Sequence, residues 1–395
     1  MFHGPIITEN WILIRASVLW KIPTPYSPFP IPYILHITDM ENSVKLPSFF
    51  RRGGLFFFLS CVFLSSCAAS ARSPESQYLL GTICTVNLFD QGRPELYSRV
   101  FARIRELEDI LSANLEGTDL DRVNQNAGLG PVKVRPELIE VLSKALDYAE
   151  KSKGFFDPSV GPLVKLWGIG TEGPRVPGEQ EIASVLDLVD YREIEINREE
   201  ETVFLRRQGM ALDLGAIAKG YAADEAVRLL RREGVERAII DLGGDIFVLG
   251  ERRSERAGNT DNEETYWRIG IQDPRGNRGM YIGILKAKNA SIVSSGNYER
   301  FFEEAGKRYH HIFSTKSGFP AENGLLSVTI VADNCIDADA LSTAAFALGW
   351  EQGRDLIALV PGAEGLFVFD DLSLRLTGDL EEYFTLTAME YRLVE

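Results

Sequence analysis

The chain has 395 residues, 45% of them hydrophobic and 25% charged, which is enough apolar material for one large or two smaller globular domains. Its formal charge of −15 makes nucleic acid and anionic membrane surfaces poor partners. Any phosphate ligand therefore needs a local cation or a metal.

Residues 1–39 show no amphipathic period and carry a Pro-rich run from Pro23 to Pro32. From Met40 the pattern changes. Lys45, Arg51 and Arg52 precede a short apolar run from Leu55 to Leu64, and Leu64-Ser65-Ser66-Cys67-Ala68 follows. The run is too short to cross a bilayer as a helix, so residues 40–66 are expected to be a cleaved export signal and residues 1–39 to lie upstream of the true start. Leu-Ser-Ser-Cys resembles the lipobox of bacterial lipoproteins, which implies acylation at Cys67 and a tether over 67–77. The alternatives are an ordinary signal peptide with a chance cysteine, or a short buried helix. Without residues 1–66 the chain keeps 37 basic and 54 acidic residues, a formal −17. Cys84 and Cys335 then remain beside Cys67. One disulfide is possible, and no Cys/His spacing suggests zinc.

The body over 78–395 reads in order. Tyr78 to Phe89 is a first strand interrupted at Gly81-Thr82, and Leu96 to Leu111 is an amphipathic helix with Val100, Ile104, Leu107 and Leu111 on one face. Pro136 to Lys151 is a second helix, opened by Pro and closed before Gly154. Gly154 to Gly168 is Gly- and Pro-rich and predicts an irregular loop, yet it carries Phe155, Phe156 and Trp167. Those aromatics suit either a local plug or a planar ligand.

Met210 to Ala222 links a strand to a helix ending at Arg232. Asp213 stands at the strand exit, as a helix cap or a ligand-facing carboxylate. Lys219 falls in the first helical turns, where a cation opposes the dipole unless it meets an anion. Asp241-Leu242-Gly243-Gly244-Asp245 sits within a strand pair over Ala238 to Leu249, and its glycines permit tight backbone passage. It is neither a P-loop nor a dinucleotide fingerprint. His310 and His311 are adjacent, so on a strand they point to opposite faces, and they precede a Gly/Pro turn. Leu326 to Ala332 predicts a strand, and Cys335 to Trp350 a helix ended by Gly349. There Asp339 and Thr343 stand at i and i+4, two hard oxygen donors on one face that can hold part of a Mg²⁺ shell. The plainer reading makes Asp337 the helix cap and Asp339 a favourable first-turn charge.

Taken together and in order, several stretches resemble the ApbE-type FAD:protein FMN transferases, and more narrowly the flavin-trafficking lipoproteins of spirochaetes. They are Leu80-Gly81-Thr82, Phe156-Asp157-Pro158 with Trp167-Gly168, Asp213 to Gly220, Asp241 to Gly244, Ser294 to Tyr298, His310-His311-Ile312 and Asp339 to Thr343. The resemblance covers Tyr78 to Glu395. It implies an α+β, two-lobed ApbE-like body with a T-fold-like core, FAD between the lobes and Mg²⁺ at the pyrophosphate.

Residue by residue, it implies that Asp339, Thr343 and the Ala216 carbonyl ligate the metal. Leu80, Phe156, Asp157, Pro158, Asp213, Lys219 and Ile312 would line FAD, and one of His310 and His311 would serve transfer with Asp339. The acceptor would be a Thr or Ser of a periplasmic flavoprotein, and the chain would face the periplasm from a lipid anchor on the inner membrane. Two departures stand out. Asn114 occupies a position where the family usually has a Tyr over the flavin, which implies looser FAD and added hydrolysis to FMN and AMP. Ser314-Thr315-Lys316-Ser317-Gly318 replaces the usual Asp-Pro-Arg-Thr-Gly. A reading from another class is a periplasmic FAD-binding or trafficking lipoprotein without turnover.

Overall fold

A computed structural model of the chain describes residues 73–252 and 265–394. Residues 1–39, the expected export signal over 40–66 and Cys67 lie outside the described residues.

Strands β1 (Glu75–Leu79) and β2 (Thr82–Leu88) come first, followed by α1 (Pro94–Leu111), α2 (Asp119–Gln125), β3 (Val132–Lys133) and α3 (Pro136–Lys151). Next are α4 (Gly161–Trp167), α5 (Glu179–Leu186), β4 (Ile194–Asn197), β5 (Thr202–Leu205), α6 (Ala218–Arg232), β6 (Ala238–Leu242) and β7 (Ile246–Leu249). Then come β8 (Trp267–Gln272), β9 (Tyr281–Ala287), β10 (Ala290–Gly296), β11 (Phe301–Glu304) and β12 (Lys307–His310). The last are β13 (Leu325–Ala332), α7 (Cys335–Leu348), α8 (Trp350–Ile357), β14 (Glu364–Phe369), β15 (Ser373–Leu376), β16 (Phe384–Leu386) and β17 (Arg392–Leu393).

The α+β expectation holds. Nine strands form one sheet in the order β1-β2-β6-β7-β10-β13-β14-β15-β17, antiparallel throughout except between β15 and β17. Alternation along each strand divides its side chains between two cores. On β7, β10 and β14, Phe247, Val293 and Phe367 join the helices α1, α3, α6 and α7, whereas Val248, Ile292, Leu366 and Val368 face a second core with β8, β9 and β16. The central sheet is thus covered on both faces, by helices on one and by a three-stranded sheet on the other. Among the described residues no helix is long and apolar enough to cross a membrane.

Two sequence expectations change. The interruption at Leu80-Gly81 is a two-residue hairpin turn, with φ of 54° and 70°, so the first strand is two strands. Within the stretch read as loop, Gly161 to Trp167 is a helix, because Pro162 falls in its first turn, where the missing N–H costs nothing. Trp167 is fully buried among Tyr309, Phe313 and Phe319, so this aromatic is a plug. Cys84 and Cys335 are both free thiols in the core, bonded to the Leu79 carbonyl and the Ser291 hydroxyl respectively.

Candidate functional site

The site grows from the crossing of α6 and α7. A Cβ built on Gly220 would lie 2.3 Å from the Cys335 carbonyl oxygen, so only glycine lets the helices approach this closely. The start of α7 is capped from two directions. Asn334 accepts the Asp337 amide at 3.0 Å, and the Asp224 carboxylate of α6 accepts the Cys335 and Ile336 amides at 2.8 and 3.0 Å. Asn334, and not Asp337, is therefore the cap. The Asp337 carboxylate instead accepts from the Tyr148 hydroxyl and pairs with Lys144 at 2.6 Å.

Asp339 is 2% exposed and accepts the Gly220 amide at 3.0 Å. Lys219, the preceding residue on α6, places its ammonium 2.7 and 2.8 Å from the two oxygens of Asp245 and 3.6 Å from Asp339. The cation read as misplaced at a helix start thus meets two anions. Burial works against the Lys219 charge, but the carboxylates of Asp245 and Asp339 hold its pKa above the usual lysine range. Two carboxylates against one ammonium leave an excess negative charge in a buried place. Burial first, and then the charge of Asp245, push the Asp339 carboxyl upward.

This donor set fits a hard divalent cation. Thr343 follows Asp339 by one turn, with its hydroxyl 3.1 Å from that of Ser295 on β10. Ala216 lies in the turn leading into α6, which Asp213 shapes by accepting the Gly215 amide at 2.8 Å. Asp213 is therefore a turn-former and not the helix cap, since Ile217 occupies that position. Among the described residues no group of three or more His, Cys, Asp or Glu forms a metal cluster. A cation here would rest on Asp339, the Thr343 hydroxyl and backbone oxygen, with water and ligand oxygens completing the shell.

The Phe156-Asp157-Pro158 stretch meets the same turn. The Pro158 carbonyl accepts the Asp213 amide at 2.9 Å, and the Gly161 amide donates to Ala211 at 3.2 Å. Phe156 is buried against Tyr148. Asp157 spends both oxygens locally, one on the amide and hydroxyl of Ser159 and the other on the Tyr191 amide, so its side chain builds the loop. The Leu80-Gly81-Thr82 turn joins from the other side. Thr82 lies against Gly243, where an added Cβ would come within 2.2 Å of its hydroxyl, and Gly243-Gly244 turns the chain, at φ of 74° and 108°, into Asp245. The Leu80 amide itself donates to Glu108. Asn114 is exposed on the α1–α2 loop, with its amide on Ser112, and makes no hydrogen bond to the rest of the site.

The two histidines part company at the end of β12. His310 is buried, with Nε2 3.0 Å from the Ala321 carbonyl and Nδ1 accepting the Ile312 amide, so both nitrogens are engaged. Burial lowers its pKa. His311 places Nδ1 3.1 Å from the Arg300 carbonyl, which fixes the proton there and makes Nε2 the acceptor nitrogen. Burial, followed by the charge of Arg300, pushes its pKa down to about 3, and the Lys219 charge adds in the same direction. Ile312 is buried beside it and accepts the Ala321 amide.

Asp245 is the residue that sequence reading passed over. Its motif was visible, but its pairing with Lys219 depends on β7 and α6 meeting in space.

The ApbE family profile matches residues 80–367. An FAD:protein FMN transferase of Treponema pallidum is 39% identical over 325 residues, covering 79% of this chain and 89% of the relative. One from Klebsiella pneumoniae is 34% identical over 320 residues, covering 81% and 96%. Among solved structures, the ApbE protein of Thermotoga maritima superposes with a TM-score of 0.70 at 30% identity, covering 79% of this chain and 98% of that one. The flavin transferase ApbE of Vibrio cholerae, with a TM-score of 0.65 at 24% identity and covering 81% and 97%, shares the fold.

Proposed function

The chain belongs to the ApbE family, and from that premise we propose that it moves FMN from FAD to a Thr or Ser hydroxyl of a protein acceptor, with Mg²⁺ at the diphosphate. The observation that carries this reading is the buried, negatively unbalanced cluster of Asp339, Asp245 and Lys219 beside the turn that receives the Phe156-Asp157-Pro158 loop. Mg²⁺ bound at Asp339 and Thr343 would neutralise diphosphate charge and ease departure of AMP.

The chain's own groups do the rest. Lys219, paired with both oxygens of Asp245, would offset part of the cluster's negative charge and hold Asp339 beside the cation site. Nε2 of His311 accepts the proton of the acceptor hydroxyl as its oxygen bonds to the FMN-side phosphorus. The bond from that phosphorus to the AMP oxygen breaks, and AMP leaves with the electron pair. His310, with both nitrogens engaged, supports the strand end and takes no part in proton transfer. Water in place of the acceptor gives FMN and AMP, and the exposed Asn114 loop favours this side reaction. Export, acylation at Cys67 and a periplasmic acceptor complete the proposal.

The test is mass spectrometry of a candidate acceptor after incubation with FAD and Mg²⁺. A gain of one FMN on a Thr or Ser, with AMP released, is expected. FAD bound without AMP release would favour storage and delivery instead.

A further inference from the structure

The flavin loop and the His311 segment lie far apart in sequence, and the turn Ser314–Gly318 connects them. On one side it is anchored to the aromatic plug, where Trp167 Nε1 donates to the Gly318 carbonyl at 2.9 Å. On the other side it reaches the end of α3. The Thr315 hydroxyl donates to the Gly154 carbonyl at 2.5 Å, and Lys316 Nζ donates to the Lys153 carbonyl at 3.1 Å while lying over the Phe155 ring at 5.4 Å.

Gly154 is buried and its carbonyl needs a partner, whereas Lys153 is exposed. Lys153 and Gly154 both adopt left-handed backbone, with φ of 55° and 79°, and this turns the chain out of α3 into the loop. Lys153 holds that conformation at a steric cost that glycine would avoid. The negative end of the α3 dipole favours the Lys316 ammonium at the same point.

We propose that Thr315 and Lys316 are positioning residues: they clasp the corner Lys153–Phe155 and so set the flavin loop in register with His311. The inference rests on the FAD reading above. His311 keeps its own anchor on the Arg300 carbonyl, so losing the clasp loosens the flavin loop and spares the base. The defect therefore belongs in FAD binding and not in turnover at saturation.

The experiment uses the full-length protein, FAD and two substitutions at one position. Thr315→Val removes the hydroxyl at nearly constant shape, and Thr315→Ser retains it. FAD affinity is read from quenching of flavin fluorescence, turnover from AMP release at saturating FAD, and folding from the melting temperature. Thr315→Val should raise the FAD dissociation constant about fivefold, the equivalent of one net hydrogen bond, with turnover within about twofold of the parent. Thr315→Ser should restore affinity to within about twofold. Parent-like FAD affinity in Thr315→Val, a loss confined to turnover, or failure of Thr315→Ser to restore binding would each overturn the clasp alone. A parent protein that binds no FAD would overturn the functional reading and the clasp with it.

Discussion

The Lys219 ammonium donates to both carboxylate oxygens of Asp245 while standing 3.6 Å from Asp339, so one cation is shared unequally between two buried anions. The unequal sharing matters. At 3.6 Å the Asp339 oxygen lies beyond hydrogen-bond reach of the Lys219 ammonium, and the neighbouring charge of Asp245 raises its affinity for a positive partner.

Lys219→Met should therefore destabilise the protein by on the order of 2–4 kcal/mol, because it leaves two buried carboxylates without their counter-charge. Added Mg²⁺ should recover part of that loss by supplying the missing positive charge. Melting temperatures with and without Mg²⁺ check this. An unchanged melting temperature would show that the ion pair adds nothing to the fold.

Gly220→Ala drives a Cβ into the Cys335 backbone, where neither helix can yield by rotating a side chain. The expected cost is about 1–3 kcal/mol, together with loss of the amide contact that orients Asp339. Denaturant unfolding and FAD cleavage, measured together, should both fall. Activity at the parent level would mean that the crossing tolerates separation.

His311→Gln and His310→Gln should fail in different ways. The first should lower transfer by about 10²–10⁴-fold while the fold stays intact, as loss of a general base does. The second should unfold more easily by about 1–3 kcal/mol, since it disturbs two buried hydrogen bonds. The pH behaviour follows the same geometry. Burial keeps His311 neutral, so turnover should show no acid limb near the ordinary histidine pKa of about 6.5. Stability should decline as pH falls through that range, because the unfolded chain takes up protons at both histidines that the folded protein refuses.

Asn114→Tyr should tighten FAD and slow its hydrolysis relative to transfer. Asn114 is exposed and ties only its own backbone to Ser112, so a larger ring can be accepted without a clash in the core. A ring stacked on the flavin would contribute about 1–3 kcal/mol, by analogy with base stacking. Hydrolysis as fast as in the parent would contradict it.

Much of this arrangement was legible in the sequence where local rules govern. Helix α3 begins at Pro136 and ends at Lys151 as its Pro and Gly signals predict, and α7 stops at Gly349. The i, i+4 spacing already put Asp339 and Thr343 on one face. Reading failed where local and distant effects compete. Gly and Pro density hid α4, although Pro162 fits its first turn. Asp337 looked like the cap because a carboxylate suits a helix start, but Asn334 stands three residues before it and accepts its amide. Adjacent histidines could not be told apart, because their roles are set by the carbonyls of Ala321 and Arg300. The place of Asp245 needed the β6–β7 turn to face α6.

The most direct measurement of the central claim is AMP release from FAD as Mg²⁺ is titrated, for the parent and for Asp339→Ala. A buried metal carboxylate at that position predicts saturable, Mg²⁺-dependent release in the parent and loss of that dependence in the variant, with the fold retained by circular dichroism. Equal Mg²⁺-dependent release from both proteins would contradict it.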